Sequence, residues 1–304
     1  MDESAVARGA EGAGAPRFRA SPGTLYVVAT PVGNLRDVTL RALDVLASVD
    51  TIAAEDTRVT GVLLRHYGIA TRPLSLHEHN EGARVAQFLE LLGAGRSVAL
   101  VSDAGTPAVS DPGAWLVRAV REAGLPVVPI PGANAAIAAI SAAGLAAERF
   151  CFLGFLPTGA EARRELLASV ARLPAALVVY EAPHRVRDTV ARLAEALGGE
   201  RTLVIAREIT KKFEAITRIT LSRGEEWFAA DPNHARGEFV LLVDAAPPDA
   251  EIAAGDPRVD ARALLSALVA ELPPARAARV AAAATGLPRD ALYAQAVALK
   301  GNRG

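Results

Sequence analysis

The stretch from Ser97 to Gly113, SVALVSDAGTPAVSDPG, constrains the fold most, because it joins a buried strand directly to a polar loop. Val98 to Val101 is an uninterrupted apolar run of strand length, and the Ser, Asp, Gly and Pro residues that follow end it in a wide loop. In open α/β sheets, ligands bind at the carboxyl ends of the strands. The stretch therefore predicts either a ligand-binding loop or an ordinary strand-to-helix turn with an aspartate cap.

The same order of strand, polar turn and helix recurs through residues 23–148. This alternation is typical of an α/β domain in which helices cover a parallel sheet. The predicted strands at 24–29, 51–54, 98–101 and 127–130 end in the loops TPVGN, AEDTR, SDAGTP and PGAN. Parallel strands place their carboxyl ends at one edge of the sheet, so these unusual loops predict a shared binding edge. We expect Asn34 or Asp37 to cap the first helix.

Changes in composition divide the rest of the chain. Residues 1–22 are rich in Ala, Gly, Glu and Arg without periodicity, which predicts a disordered tail. Residues 149–245 return to strands and helices, and the Ile/Thr alternation at 213–221 predicts an antiparallel strand in a second α/β domain with a mixed sheet. Residues 246–258 have linker composition. Residues 259–304 predict a small helical domain, which is either a helix-turn-helix or a cap without a nucleic-acid role.

Charge and cysteine content exclude several classes of protein. The 33 basic and 34 acidic residues give a net charge of −1, so the chain lacks a global basic signature for nucleic acid, which still leaves room for a local basic face. Cys151 is the only cysteine, which excludes an intrachain disulfide and a cysteine zinc site. The N-terminus lacks the apolar segment of a secretion signal, and the weakly polar run at 132–147 is too short to cross a membrane. We therefore expect a cytoplasmic protein.

Common cofactor and catalytic motifs do not explain the loops. Neither G-x-G-x-x-G nor G-x-x-x-x-G-K-[ST] occurs, which disfavours a Rossmann dinucleotide site and a P-loop. His77 and His79 have no third His or Cys nearby, so we predict no metal site. The charged strand ends at 181–185 and 207–212 are either functional loops or solvated, ion-paired edges. Composition and spacing alone do not identify the ligand.

Nine sequence segments occur in an order that resembles a known family. They are TPVGNLRD at 30–37, AEDTR at 54–58, HEHNE at 77–81, SDAGTPAVSDPG at 102–113, PGANA at 131–135, GFLP at 154–157, YEAPHR at 180–185, REITKKFE at 207–214 and GEFVLLV at 237–243. Together they resemble the ribosomal RNA small-subunit methyltransferase I family, the cytidine 2′-O-methyltransferases of the tetrapyrrole methylase superfamily. The resemblance covers about residues 23–243.

The resemblance implies two α/β domains with S-adenosylmethionine in the cleft between them, usually in a homodimer. The expected reaction transfers a methyl group to the ribose 2′-hydroxyl of a cytidine in the decoding region of 16S rRNA, with the small ribosomal subunit as partner. One alternative is a tetrapyrrole C-methyltransferase, which the first loop at 30–34 disfavours because tetrapyrrole enzymes usually carry a Gly-rich loop there. The other is a non-catalytic RNA- or ribosome-binding module on the same fold.

The resemblance also assigns residues to three roles. The cofactor-binding residues would be Thr30, Pro31, Gly33, Asn34, Asp103, Ala104, Gly105, Pro107, Ala108, Pro131, Gly132, Ala133, Asn134, Tyr180 and Gly237. Asp103 is expected to hold the cofactor rather than to take part in the chemistry. The candidates for removing the hydroxyl proton are Glu55, Asp56, Glu181 and Lys211, and those for holding RNA phosphates are Arg36, Arg58, His184, Arg185 and Lys212.

Overall fold

The structure is a computed structural model that describes residues 18–77, 81–246 and 261–301. Most of the predicted tail and linker, 1–17 and 247–258, lies outside these ranges. The end of the predicted tail is packed on the first domain. The Phe18 ring meets the Tyr26 ring edge-on at a centroid distance of 5.8 Å, and the Ser21 N–H donates to the Tyr26 hydroxyl at 2.8 Å. The packed chain therefore begins before Gly23, because Phe18 covers apolar surface on the first strand.

The first domain contains a parallel sheet, as predicted. Its strands are β1 (Leu25–Val28), β2 (Thr51–Ala54), β3 (Pro73–Ser75), β4 (Val98–Val101) and β5 (Val127–Ile130), in the spatial order β3-β2-β4-β1-β5. Every pairing in this sheet is parallel. The loops after β1, β2, β4 and β5 consequently meet at one edge. The short strand β3, which begins with a proline, is absent from the sequence prediction.

Helices cover the faces of this sheet. They are α1 (Leu40–Ser48), α2 (Thr57–His66), α3 (Glu81–Gly93), α4 (Ala114–Glu122) and α5 (Ala135–Ala143). The predicted cap of α1 is wrong: the Thr39 side chain accepts from the Ala42 N–H at 3.1 Å, whereas Asn34 caps a short 3₁₀ turn at 35–37. Thr39 takes this role because that turn separates Asn34 and Asp37 from the helix.

The second domain contains the predicted mixed sheet. Its strands are β6 (Phe150–Phe155), β7 (Ala176–Glu181), β8 (Thr202–Arg207), β9 (Ala215–Thr220) and β10 (Phe239–Val243), in the order β6-β7-β10-β8-β9. Only β6 and β7 pair in parallel, and the Ile/Thr segment forms the antiparallel edge strand β9. The domain's helices are α6 (Ala160–Val170), α7 (Val186–Leu197) and α8 (Gly224–Ala230).

The C-terminal helices are α9 (Ala261–Glu271), α10 (Pro274–Thr285) and α11 (Arg289–Gly301), and they share an apolar cluster of their own. Gly286 ends α10 in a left-handed conformation with φ +69°, as expected for the turn of a helical hairpin. Leu265, Ala281 and Leu292 are fully or almost fully buried in this cluster. No helix in the described parts of the chain has the length and apolarity needed to span a membrane.

The two α/β domains meet along helix α5 and the loops beside it. Ala139 on α5 packs with Val178, Val204 and Val240 of the second sheet in one apolar cluster. The Tyr180 hydroxyl, at the end of β7, accepts a hydrogen bond from the backbone N–H of Ala136 at 3.1 Å. The carboxyl edge of the first sheet is thereby held against the second domain, and a cleft forms between them.

Candidate active site

A cavity of about 360 Å³ lies in this cleft. That volume falls within the range of small-molecule sites. The first domain lines it with the loops after β1 and β4 and with the start of α5, and the second with residues near the ends of β6, β7 and β8 and the start of β10. Five of the predicted site residues line the cavity: Ala104, Gly105, Asn134, Tyr180 and Glu181.

Backbone hydrogen bonds join the loops after β1 and β4. The Thr30 N–H donates to the Gly105 carbonyl at 2.8 Å, and the Gly105 N–H donates to the Thr30 carbonyl at 3.0 Å. The buried Thr30 hydroxyl also donates to the Ser102 carbonyl at 3.0 Å. Gly105 has φ +81°, a conformation that favours glycine, and it leaves backbone rather than a side chain at the cavity wall. These loops form a rigid wall suited to a ligand held by the main chain.

Several predicted cofactor residues support this wall without lining the cavity. A Cβ on Gly132 would lie 2.9 Å from the Ala29 Cβ, so only glycine lets the loop after β5 lie this close to β1. The Ala133 carbonyl accepts from the Thr106 hydroxyl at 3.2 Å. The predicted cofactor residues that do not line the cavity are Thr30, Pro31, Gly33, Asn34, Asp103, Pro107, Ala108, Pro131, Gly132, Ala133 and Gly237.

Asp103 connects two loops. Its Oδ1 accepts from the Asp56 N–H at 3.0 Å, and its own N–H donates to Oε2 of Glu55 at 3.3 Å. Burial raises the pKa of Asp103, and the Asp56 charge acts in the same direction. Asp103 therefore ties the loop after β4 to the loop after β2. Its predicted contact with the cofactor stays a prediction.

Three of the four candidate bases have their polar atoms engaged. Asp56 caps α2 and pairs with Arg58 at 2.5 Å, and hydrogen bonds from Arg58 lower the pKa of Asp56 to about 2. Lys211 contacts Glu208 at 2.9 Å and Glu238 at 2.8 Å. Although burial opposes it, the hydrogen bonds that Lys211 donates to these carboxylates raise the pKa of Lys211 and keep the amine charged.

Glu181 is the third engaged candidate, and its side chain is fully buried. Its Oε2 accepts from the Thr189 hydroxyl at 2.6 Å, and its Oε1 accepts from the Ala182 N–H at 2.9 Å. The Arg185 Nε lies 3.3 Å from the same carboxylate, and the Arg185 guanidinium also donates to the Leu156 carbonyl at 2.7 Å. Glu181 therefore anchors the loop after β7. Arg185 also makes these interior contacts, and its predicted role in holding phosphates stays a prediction.

Glu55 is the candidate base whose proton affinity is increased. Burial raises its pKa, and the charges of Asp103 and Asp56 add to the effect. Glu55 does not line the cavity, because its Oε2 accepts from the Asp103 N–H on the loop behind the wall. It contributes negative potential to the site.

Asp111 is a carboxylate that lines the cavity, and it is not among the site residues predicted from the sequence. Burial raises the pKa of Asp111 to about 6, the charges of Glu55 and Asp103 add to the effect, and a hydrogen bond with Ser102 opposes it. The sequence feature that could have identified Asp111 is the second Ser-Asp-Pro-Gly motif, at 110–113. This motif indicates a turn but does not show which way its aspartate points.

The remaining predicted RNA contacts are solvent-facing. Arg36, Arg58, His184 and Lys212 are exposed, and the Arg58 side chain retains 89% of its accessible surface despite its pairing with Asp56. Lys212 lies over the exposed Phe213 ring, with Nζ 5.5 Å from the centroid. A cation beside an exposed aromatic ring suits contact with a nucleotide.

Strained backbone occurs on both sides of the cavity. Ala108 and Ser110 have φ of +64° and +63°, and Glu208 and Thr210 have φ of +53° and +66°. These conformations are uncommon for non-glycine residues, above all for a β-branched threonine, and they concentrate at functional sites. Each strained pair flanks one apolar residue that lines the cavity, Val109 in the first domain and Ile209 in the second.

A metal site has no support in the parts of the chain that the structure describes. Within residues 18–77, 81–246 and 261–301, no cluster of three or more His, Cys, Asp or Glu side chains is arranged to hold an ion. His79, one of the two histidines considered in the sequence, lies outside the described residues.

Comparison with known proteins relates the chain to two families of domains. The sequence model of the Tetrapyrrole (Corrin/Porphyrin) Methylases matches residues 24–223. That of the RsmI C-terminal HTH domain matches residues 255–300, which include the three C-terminal helices up to Lys300. Together these matches span most of the described structure and leave out residues 224–246, which contain α8 and β10.

Curated relatives share almost the whole length of the chain. The ribosomal RNA small subunit methyltransferase I of Haemophilus influenzae is 48% identical over 271 residues, covering 89% of this chain and 95% of the relative. The protein of the same name from Escherichia coli O157:H7 is 47% identical over 281 residues, covering 92% and 97%.

Solved structures share the architecture of the two α/β domains. The methyltransferase CobJ is 26% identical with a TM-score of 0.57, covering 74% of this chain and 95% of its own. Uroporphyrin-III C-methyltransferase from Thermus thermophilus is 24% identical with a TM-score of 0.52, covering 73% and 94%. The second likeness concerns the fold alone.

Proposed function

Because the chain belongs to the tetrapyrrole methylases and, within them, to the ribosomal RNA small subunit methyltransferase I family, we propose that it methylates the ribose 2′-hydroxyl of a cytidine in the decoding region of 16S rRNA. The chain is an S-adenosylmethionine-dependent methyltransferase of small-subunit ribosomal RNA. The observation that carries this function is the 47–48% identity, over nearly the full length, to relatives named ribosomal RNA small subunit methyltransferase I. The cavity at the strand ends, which residues of the family motifs line, agrees with it.

The cavity suits S-adenosylmethionine in size and chemistry. Its wall carries backbone from Ala104 and Gly105, which can serve the polar groups of the nucleoside, and apolar side chains such as Val109 and Ile209, which can contact a ring. When bound, S-adenosylmethionine supplies an electrophilic methyl group carried on a sulfonium. A positive charge also suits a cavity that contains the Asp111 carboxylate. Asn134 and Tyr180 would hold the cofactor from opposite domains.

Exposed cations near the strand ends would bind the RNA backbone. Arg36, Arg58, His184 and Lys212 are exposed and would bind phosphates most readily, whereas Arg185 also contacts Glu181 and the Leu156 carbonyl. Because the chain has a net charge of only −1, its affinity for RNA depends on these local cations and on salt concentration. Arg58 can exchange Asp56 for a phosphate at little cost in free energy, because exposed ion pairs are weak.

The substrate is 16S rRNA, which we propose is methylated within the small ribosomal subunit by a cytoplasmic homodimer. Apolar surface at the junction of α5 and β9 supports self-association, since Ile137 is 52% exposed and Ile216 41% exposed. Sedimentation of the protein at micromolar concentration would test this. A monomer mass would refute the homodimer and leave the catalytic proposal intact.

The decisive experiment incubates the protein with methyl-labelled S-adenosylmethionine and 30S subunits from a strain that lacks this methylation. We expect label on the ribose of one cytidine in the decoding region, mapped by nuclease digestion and mass spectrometry. A parallel reaction with uroporphyrinogen should take up no label. Absence of label in RNA despite cofactor binding would refute the proposal and favour a non-catalytic RNA-binding module.

A further inference from the structure

The loop at 208–214, which joins β8 to β9, is held in one conformation by its own hydrogen bonds. The Lys211 N–H donates to the Glu208 carbonyl at 2.9 Å, and the Glu214 N–H donates to the Lys211 carbonyl at 3.1 Å. The Glu214 carboxylate also accepts a hydrogen bond from the Thr210 N–H. The backbone at the tip of the loop is therefore in place before any ligand binds.

This loop presents an aromatic ring and a cation side by side to solvent. Phe213 is 62% exposed, and the Lys212 Nζ lies over its ring at 5.5 Å from the centroid. Within the ranges that the structure describes, Lys212 has no carboxylate in ion-pair contact, since the neighbouring Glu214 is held by the backbone of the loop. A single exposed phenylalanine is ordinary, but a ring joined to an uncommitted cation indicates a ligand that offers both a flat apolar face and a negative charge.

The loop also borders the cavity. Ile209, which lines the cavity, precedes Phe213 by four residues, a stretch of chain that spans at most about 14 Å. On the other side, a Cβ on Gly33 would lie 2.5 Å from Cγ of Lys211, so the loop after β1, which carries the exposed Arg36, lies against this loop. Stacked nucleotides are about 3.4 Å apart along a strand. An RNA that brings a ribose to the cavity therefore has Phe213 within a few nucleotides of that ribose.

A nucleotide matches the pair of side chains better than a protein surface does. Its base offers a flat face to the ring of Phe213, and its phosphate lies beside that base, as Lys212 lies beside the ring. Base–aromatic stacking tolerates any base, and RNA-binding proteins use it on unpaired nucleotides that can leave the helical stack. A protein partner would have to supply an apolar contact and a separate carboxylate to satisfy the same two groups.

We propose that Phe213 and Lys212 form a nucleotide-binding site at the rim of the cavity, where the ring stacks on an unpaired base near the methylated ribose and the ammonium contacts that nucleotide's phosphate. This inference rests on the proposed function. Stacking on a rigid loop keeps the strand open and fixes its register, so that one ribose is placed at the cavity. Phe213 is thus a substrate-positioning residue that does not touch the methyl group.

The first test measures methylation of unmethylated 30S subunits by four variants at saturating cofactor. Phe213→Ala should raise KM for 30S subunits by about 5-fold to 100-fold, the loss expected for one stacked base. Phe213→Leu should behave like Phe213→Ala because it lacks a π face, whereas Phe213→Trp should keep or lower the wild-type KM. Phe150→Ala is the matched control: Phe150 is 47% exposed at the start of β6, the end of that strand away from the cavity-lining Phe155.

Two readouts on these proteins exclude a loss of structure. The melting temperature should stay unchanged in the Phe213 variants, because the side chain is exposed. Affinity for S-adenosylhomocysteine, measured by calorimetry, should change less than about threefold, since Phe213 does not line the cavity.

The second test separates stacking from charge without measuring activity. Binding of an unstructured oligocytidylate is followed as salt is raised: Lys212→Ala should reduce the slope of log affinity against log salt by about 0.7, the value for one phosphate contact on a single strand. Phe213→Ala should lower affinity at every salt concentration and keep the slope. The fluorescence of Phe213→Trp should be quenched when the oligonucleotide binds, and wild type gives the background from Trp115 and Trp227.

The outcomes separate the inference from the function beneath it. If wild type leaves 30S RNA unlabelled, the proposed function fails. If wild type labels RNA and Phe213→Ala does so with the same KM and the same affinity for the oligonucleotide, the stacking site is overturned. Full activity in Phe213→Leu would also overturn it, since an apolar contact with a protein would then suffice. A changed sedimentation mass in Phe213→Ala would overturn it in favour of contact with a second copy of the chain.

Discussion

Replacement of Asp111 by asparagine should make the protein more stable at alkaline pH while it removes a carboxylate from the cavity. Burial and the charges of Glu55 and Asp103 raise the pKa of Asp111 from 3.8 to about 6. A carboxyl whose pKa is higher in the folded state destabilises the fold when it is ionised. The penalty is absent below the unfolded pKa, grows as the pH rises through the window from 3.8 to about 6, and is complete above it.

The size of the gain follows from this shift. A rise of about 2 pKa units corresponds to a ceiling of about 3 kcal/mol in the free energy of unfolding. Because Asp111 is only partly buried, solvent screens its charge, and we expect about 1–2 kcal/mol. In a protein of this size, that corresponds to a rise of about 2–8 °C in the melting temperature.

Urea unfolding of wild type and Asp111→Asn at about pH 8 and about pH 4 tests the reasoning. The variant should gain stability at the higher pH and little at the lower. Asp50→Asn is a control of opposite sign, because a backbone hydrogen bond from Ser97 lowers the pKa of Asp50 and the charged form is favoured. An Asp111→Asn protein that is no more stable than wild type at pH 8, or equally stabilised at both pH values, would refute a strained carboxylate at this position.

Three further substitutions test the geometry of the site. Gly113→Ala should destabilise the fold by about 2–4 kcal/mol in urea titration, because φ is +113° and the new Cβ would lie 2.6 Å from Leu100; an unchanged midpoint would contradict that close approach. Arg185→Ala should cost about 3–5 kcal/mol, because the fully buried Glu181 carboxylate loses its cation, and near-normal stability would contradict a structural role for this pair. Arg58→Ala should leave the melting temperature unchanged and reduce the salt dependence of 30S binding by about one charge, and an unaltered slope would remove Arg58 from the RNA interface.

The sequence predicts the framework of the fold because that framework depends on local patterns. Apolar runs that end in Gly, Pro and Asp indicate parallel strands with loops at one edge, and the Ile/Thr alternation at 213–221 indicates an antiparallel strand. Strand β3 cannot be recognised from such patterns because it has only three residues and starts with a proline. Its place at the edge of the sheet depends on pairing with β2, which the local sequence does not encode.

The roles of the charged residues depend on contacts that spacing does not reveal. Glu181 and Arg185 look like solvent-facing groups of a polar loop, yet Glu181 is buried against Thr189, and Arg185 reaches the Leu156 carbonyl. Asp111 looks like part of a turn in the sequence. Its place in the cavity depends on the positive φ of Ser110, and a serine in the sequence does not indicate a positive φ. Sequence reasoning could therefore locate the site without showing which carboxylate in it lacks a cation.

The strain on the two sides of the cavity has a common physical consequence. Each non-glycine residue with positive φ costs about 1–3 kcal/mol, and the four that occur here flank Val109 in one domain and Ile209 in the other. Packing of α5 on the second sheet, together with hydrogen bonds such as that from Ala108 to Pro112, stabilises the fold enough to retain this strain. The cavity wall is thus formed before ligands bind, so binding energy is not spent on ordering it. A preformed wall is also what keeps an ionised Asp111 in the cleft, because a mobile loop would carry that carboxylate to water.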